Sequence, residues 1–356
     1  MKVRRRKLPG TLAIAFFLTG VLLTCSLLAK ERVALRVESF TVPPSSQPLF
    51  HVTIKNLAES PYRGTITIKP PPQWRIAPPA RQVSLAAGET QRVPFTIEAG
   101  TNAESNRYVV EVSATGDGTT VVRRQNVVCA SAPYHKATID GLAEEWNDAI
   151  PVTFITSGKR TILRTYWNRR QFLLLAAVEE DELIAYPPKP GTSGSDAIQI
   201  AISPPGAATG TSPDEKATRH EFLLVWTGSG TVGKCFQLAR PGTRLATTRQ
   251  RRELGPPEYD DANVAVVRKE GVTYYEWALP FGPLRDKIRP TEGREFFFSV
   301  LVHDPDGTGV RDWGRAAGLW PWQRNSLAWS NWHGVEWDGR SPFDNKLPWG
   351  LCSSKY

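Results

Sequence analysis

Methionine occurs once in this chain, at Met1, and cysteine only four times in 356 residues. With no second methionine, a Met/His-ligated haem is excluded from everything beyond the first residue. No Cys-x-x-Cys pair exists, so there is no disulfide framework, and stability has to come from hydrophobic cores. The five histidines, His51, His135, His220, His303 and His333, fall in no nucleophile motif, and both the Gly-x-Ser-x-Gly elbow and the His-Glu-x-x-His helix are missing. Glycoside hydrolysis needs two carboxylates across one cleft, and residue order alone shows no such pair. The chain reads as a non-enzyme.

Long apolar runs are missing too, with one exception. Thr11 to Ala29 carries no charge and follows Lys2, Arg4, Arg5, Arg6 and Lys7. A basic start before an apolar run is the pattern of a secretion signal, and this run is also long enough to span a bilayer. Residues 1–30 are therefore expected to be a signal peptide or an N-terminal membrane anchor. The rest is then extracytoplasmic: secreted, periplasmic or anchored by that segment. Removing the five cations takes the formal charge from +9 to +4 (9 − 5). Cys129, Cys235 and Cys352 remain, enough for one disulfide whose pairing stays open. Arg249, Arg251 and Arg252 have no interleaved aromatics, which argues against a nucleic-acid partner.

What is present is β structure. Hydrophobic residues make up 40% and charged residues 22%, the balance of a globular protein, with 28 glycines and 29 prolines to supply turns. From about Val33 to Ala132, alternating segments predict strands at Phe50–Ile54, Gly64–Ile68, Val83–Leu85, Val93–Ile97, Tyr108–Val112 and Thr119–Val122. Some seven short strands in about 100 residues suggest an immunoglobulin-like sandwich over residues 31–132. Asn56 closing a strand, Trp74 after prolines, Ala87-Gly88-Glu89 and Tyr108 follow in an order that resembles the Ig-like domains accompanying sugar-active modules. The resemblance implies that Trp74 is a core plug and the domain a spacer. Ser131-Ala132-Pro133 reads as a short boundary.

Beyond it, strands are predicted at Thr161–Trp167, Phe172–Val178, Ala197–Ile202, Glu221–Trp226, Ala262–Arg268, Val272–Leu279 and Glu295–Val302. With little helix between them, residues 133–356 predict a larger antiparallel two-sheet sandwich. Ordered motifs run through this part: Ile139-Asp140-Gly141…Glu145-Trp146, Tyr166-Trp167-Asn168, Asp196-Ala197-Ile198-Gln199-Ile200, Tyr275-Glu276-Trp277-Ala278-Leu279-Pro280 and His303-Asp304-Pro305-Asp306-Gly307. Together they resemble carbohydrate-binding module family 9 and its wider DOMON-like superfamily.

The resemblance implies a non-catalytic protein with a polysaccharide or glycan partner, and a sugar held between two aromatic rings. Seven of the twelve tryptophans lie in the last 44 residues. Trp329 and Trp332 stand where one such ring is expected, either stacked on ligand or buried in the core, while Trp146, Trp167 and Trp277 read as core. Arg324, Asn325 and Asn331 would supply hydrogen bonds to the sugar. No aromatic stands in Gly191–Asp196, where the opposite ring belongs, and Tyr186 would substitute if its loop folds back. That gap keeps open a cell-surface structural or interaction protein with a degenerate site; a hydrolase or redox-associated domain is a third class. Asp304, Asp306 and Asp312 around Gly307 and Gly309 suit a structural calcium ion or a metal-free hairpin turn.

Overall fold

The computed structural model describes residues 31–205, 219–243, 258–284, 288–316, 329, 342–343 and 345–355. Arg32–Tyr356 forms one compact unit. The proposed leader lies outside the described residues, and among those described no helix is long and apolar enough to cross a membrane.

The all-β expectation holds. The first sandwich contains β1 (Val33–Val37), β2 (Leu49–Asn56), β3 (Tyr62–Lys69), β4 (Arg75–Ala77), β5 (Ala80–Leu85), β6 (Thr90–Ala99), β7 (Tyr108–Gly116) and β8 (Thr119–Val127). They form two four-stranded sheets, β1-β2-β6-β4 and β5-β3-β7-β8. Period-two alternation turns Val52, Ile54, Ile66, Phe95, Ile97, Val110 and Val112 into one core. Trp74 is buried there against Phe40 and Tyr108, its indole donating to Thr101 Oγ1 at 3.3 Å.

The second sandwich adds β9 (Ser131–Pro133), β10 (Val152–Thr156), β11 (Lys159–Trp167), β12 (Gln171–Glu179), β13 (Ala197–Ser203), β14 (His220–Trp226), β15 (Gly233–Ala239), β16 (Asn263–Lys269), β17 (Val272–Pro280), β18 (Glu295–Asp304), β19 (Gly309–Asp312) and β20 (Leu347–Cys352). A five-stranded sheet, β10-β11-β12-β17-β16, faces a seven-stranded one, β15-β14-β13-β18-β20-β9 with β19 beside β18. Leu174, Ile198, Ile200, Phe222, Trp277, Phe298 and Trp349 fill the space between them. On the outer side of the five-stranded sheet, Trp146 stacks on Tyr166 at 5.0 Å.

Two sequence motifs meet at Glu276. Its carboxylate accepts from Asp140 N at 2.8 Å, Gly141 N at 2.7 Å and Trp146 Nε1 at 2.7 Å. The Asp-Gly turn and the Glu-Trp pair are thus held to β17 by one buried acid.

The segment read as a boundary is itself structural: β9 pairs in parallel with β20. Around it the sandwiches interlock. Ala130 N donates to Phe40 O at 2.8 Å and Gly350 N to Ala130 O at 2.9 Å. Ser39 Oγ donates to Pro348 O. A Cβ added at Gly350 would lie 1.8 Å from Thr41 O, so only glycine permits this approach. Arg92 grips Glu38 at 2.6 Å and reaches Glu295 of the second sandwich at 3.3 Å. Cys129, Cys235 and Cys352 are buried free thiols, so the disulfide left open by their number does not form.

Candidate functional site

Two polar arrangements share strands β13 and β18. The first is an acidic pocket at their ends. Asp196, directly before β13, and Asp304, the last residue of β18, come together with Asp306, their ligand oxygens all within 4.8 Å of one another. The register opposing Ala197 to His303 creates this meeting. Asp304 Oδ2 accepts from Thr308 N (3.0 Å), Thr308 Oγ1 (2.7 Å) and Arg311, and its Oδ1 has no hydrogen-bond partner among the described residues. Asp196 Oδ2 accepts from Ile184 N at 2.5 Å, pinning the loop that carries Tyr186, while Oδ1 is unpartnered. A Cβ at Gly307 would lie 2.6 Å from Asp304 Oδ1, so a side chain there would intrude on that oxygen.

Glu180 adds a fourth carboxyl behind this group. Its side chain is fully buried, with the Thr273 hydroxyl near enough to favour the carboxylate and Arg268 as a cation at 3.5 Å. Burial pushes the Glu180 carboxyl up to about 8, with Asp304 adding to the rise. Burial, then the Glu180 charge, raises Asp196 as well. Arg311 and the Thr308 bonds outweigh burial at Asp304 and hold it below its usual value. With Glu180 and Asp196 both raised, these buried carboxyls are neutral near pH 7 unless a cation joins them, so metal binding here would release protons.

The donor set is all oxygen. Calcium takes oxygen ligands at ~2.4 Å, so ligands on opposite sides of one ion stand ~4.8 Å apart. The Asp196, Asp304 and Asp306 carboxylates are therefore close enough together to hold a hard divalent cation. Asp312 is not in this group; it lies on β19, where its Oδ1 accepts from Asn345 Nδ2 at 3.4 Å. Asp196 stands in the place the sequence reading gave to Asp312. No local spacing signals it, since strand pairing alone brings it to Asp304.

The second arrangement lies on the outer face of the seven-stranded sheet. A buried polar row crosses the strands: Arg219 to Glu221, Gln199 Nε2 to Glu221 Oε2 at 2.9 Å, and Gln199 Oε1 to His303 Nε2 at 2.9 Å. Burial holds the His303 imidazole down to about 3, so it is neutral. The Gln199 amide, committed as donor to Glu221, leaves Oε1 to accept from His303. That assigns the ring proton to Nε2 and makes Nδ1 an acceptor. His303 Nδ1 has no partner among the described residues. Beside it stands Trp329, ring centroids 4.9 Å apart, its Nε1 also unpartnered.

Trp329 packs with Ala197, Leu223, Val225 and Phe236, and Tyr186 packs against the same cluster. Tyr186 meets Phe236 edge-on at 5.7 Å. The fold therefore brings together two of the residues expected from sequence, Trp329 and Tyr186. Trp329 is only 1% exposed, so its ring is enclosed and presents no open platform. Trp332, Arg324, Asn325 and Asn331 lie outside the described residues. Gln199, Glu221 and His303 went unnoticed as site residues in the sequence, because each sits in an ordinary strand and only their pairing across three strands makes the row.

No family model matches the chain, and no curated protein matches it. Among solved structures it is similar to a carbohydrate-binding module family 9 from Caldicellulosiruptor kristjanssonii in complex with cellotriose. That match has 11% identity and a TM-score of 0.35, covering 51% of this chain and 80% of that one. For the glucose complex of such a module from the same organism, the values are 12% identity, TM-score 0.37, and 62% and 94% coverage. With both TM-scores below 0.5, neither neighbour bears on what this chain binds.

Proposed function

We propose that the chain is an exported, non-catalytic carbohydrate-binding protein whose second sandwich takes a glycan at the outer face of the seven-stranded sheet. The observation that carries this reading is the contact of His303 with Trp329, ring centroids 4.9 Å apart, in which neither His303 Nδ1 nor Trp329 Nε1 finds a partner among the described residues. A sugar hydroxyl both donates and accepts, so its chemistry suits either atom. Half-buried Tyr186 supplies aromatic surface for the C–H face of the ring, with buried Phe236 and Trp329 packed behind it. Trp332, Arg324, Asn325 and Asn331 join the proposed site from sequence alone.

A calcium ion held by Asp196, Asp304 and Asp306, with Glu180 behind them, belongs to the same proposal. It would supply positive charge and tie the loop before β13 to the end of β18. The ion's role is structural.

The test is a glycan array followed by calorimetry on each hit. Trp329→Phe removes the N–H and keeps a ring; His303→Ala removes the acceptor. One hydrogen bond is worth roughly 1 kcal/mol, so each variant should weaken binding about fivefold. If no glycan binds, or if both variants bind like the parent, the reading fails. A second reading, a cell-surface structural or interaction protein with a degenerate sugar site, is favoured by the enclosure of the Trp329 ring. It predicts an array without hits.

A further inference from the structure

A cleft of about 240 Å³ opens at the seam of the two sandwiches, sharing no lining residue with the acidic pocket or the polar row. Pro43 and Ala103 of the first sandwich face Ala149 and Ile150 of the second, with Arg164 and Lys355 as its cations. Arg164 lies on β11, half-buried. The other arginines near buried acids are matched: Arg92 with Glu38, Arg219 with Glu221, Arg268 with Glu180 and Arg311 with Asp304. Arg164 makes no ion pair or hydrogen bond among the described residues. Its electrostatic neighbours are two phenols, Tyr166 and Tyr274, and burial lowers its pKa from the ordinary arginine value. Lys355 is drawn to the second sandwich through Asn147 O at 3.3 Å. The one acid in the lining, Glu104, is exposed.

A guanidinium taken partly out of water without an anion is uncompensated, and its planar fork matches a carboxylate with two parallel bonds. The proline and alanine walls suit the apolar face of a small ring. At about 240 Å³ the space falls below the ~300–1,000 Å³ of drug-sized ligand pockets, which limits it to one ring. We infer that the seam cleft is a binding site for a carboxylate carried on a single sugar ring, the group a uronic acid presents, with Arg164 as its anchor. Both sandwiches build the site, which gives the first a binding role in place of a spacer's. The inference is independent of glycan binding at the sheet face.

The experiment is a calorimetric and NMR titration of the full chain with sodium glucuronate, with glucose and sodium acetate at matched ionic strength as comparisons. Saturable glucuronate binding is expected, weakened about tenfold or more by Arg164→Gln, since hydrogen bonds to charged groups are worth ~1.5–3 kcal/mol. Arg164→Lys should restore part of it. Acetate should bind more weakly than glucuronate. Any effect of glucose should survive Arg164→Gln, and its loss in His303→Ala with glucuronate binding intact would separate the two sites. No saturable glucuronate binding, or equal affinity in Arg164→Gln with an unchanged melting temperature, overturns the inference. So does glucuronate binding that depends on His303 and not on Arg164.

Discussion

Calcium added to the chelator-stripped protein should raise its melting temperature by about 4 °C. The perturbation acts where Glu180, Asp196, Asp304 and Asp306 gather beside Arg268 and Arg311, with an oxygen each of Asp196 and Asp304 unpartnered among the described residues. An ion bound only by the folded state at one hundred times its dissociation constant adds ~2.7 kcal/mol. Unfolding entropy near 60 °C is ~2.1 cal/mol/K per residue. For the roughly 325 residues of the compact unit, that is ~0.7 kcal/mol/K, giving about 4 °C. Differential scanning calorimetry measures the shift, and isothermal calorimetry supplies the dissociation constant that sets the concentration. Asp196→Asn should abolish the increment while leaving the stripped protein about as stable as the parent, because burial already favours the neutral acid that the amide mimics. Asp312→Asn should retain the increment. No heat of calcium binding together with an unshifted melt would refute the reasoning. So would loss of the shift in Asp312→Asn but not in Asp196→Asn.

Three further outcomes test the fold around these sites. Glu276→Ala strands three donors, those of Asp140, Gly141 and Trp146, the last two buried; at ~1–3 kcal/mol for each unsatisfied buried group, denaturant midpoints should report a loss of about 2 kcal/mol or more, and a loss under about 1 kcal/mol would deny Glu276 its role. Arg92→Ala leaves Glu38, 1% exposed, without its cation, and breaking such a pair costs ~3–5 kcal/mol; urea unfolding that matches the parent would show that the latch contributes nothing. His51 is held below its ordinary pKa by burial first and Arg92 second, so the unfolded chain takes up the proton first as pH falls. Its contribution is complete above about pH 6.5 and is lost as pH drops below that value. His51→Gln should flatten the dependence of the urea midpoint between about pH 5 and 8, and an identical slope in both proteins would count against it.

The strands were legible in the sequence where period-two alternation ran between turn residues, as in Val93–Ile97 and Ala197–Ile202, which extend by only a few residues in the fold. β15 was not, because Gly233-Lys234-Cys235-Phe236 carries neither a clean alternation nor β-branched residues. β20 was hidden in a tail that its tryptophans and glycines made look irregular, yet it sits between β18 and β9 with Trp349 in the core. The ordered motifs could be read, but not their partners: nothing in Ile139-Asp140-Gly141 announces that Glu276 will receive its amides. The acidic pocket shows the same limit. Asp304 and Asp306 form a local pattern, and Asp312 was the nearest candidate to complete it. A strand reverses faces at each residue, however, and a ligand set closes through whichever chain lies alongside. The antiparallel register of β13 on β18 sets Ala197 opposite His303 and Gln199 opposite Leu301. That one pairing brings Asp196 to Asp304 at the strand ends and Gln199 to His303 along the face. The acidic pocket and the polar row are therefore two consequences of a single register. A slip by one residue would remove both together, because it would turn every side chain of β13 to the opposite face.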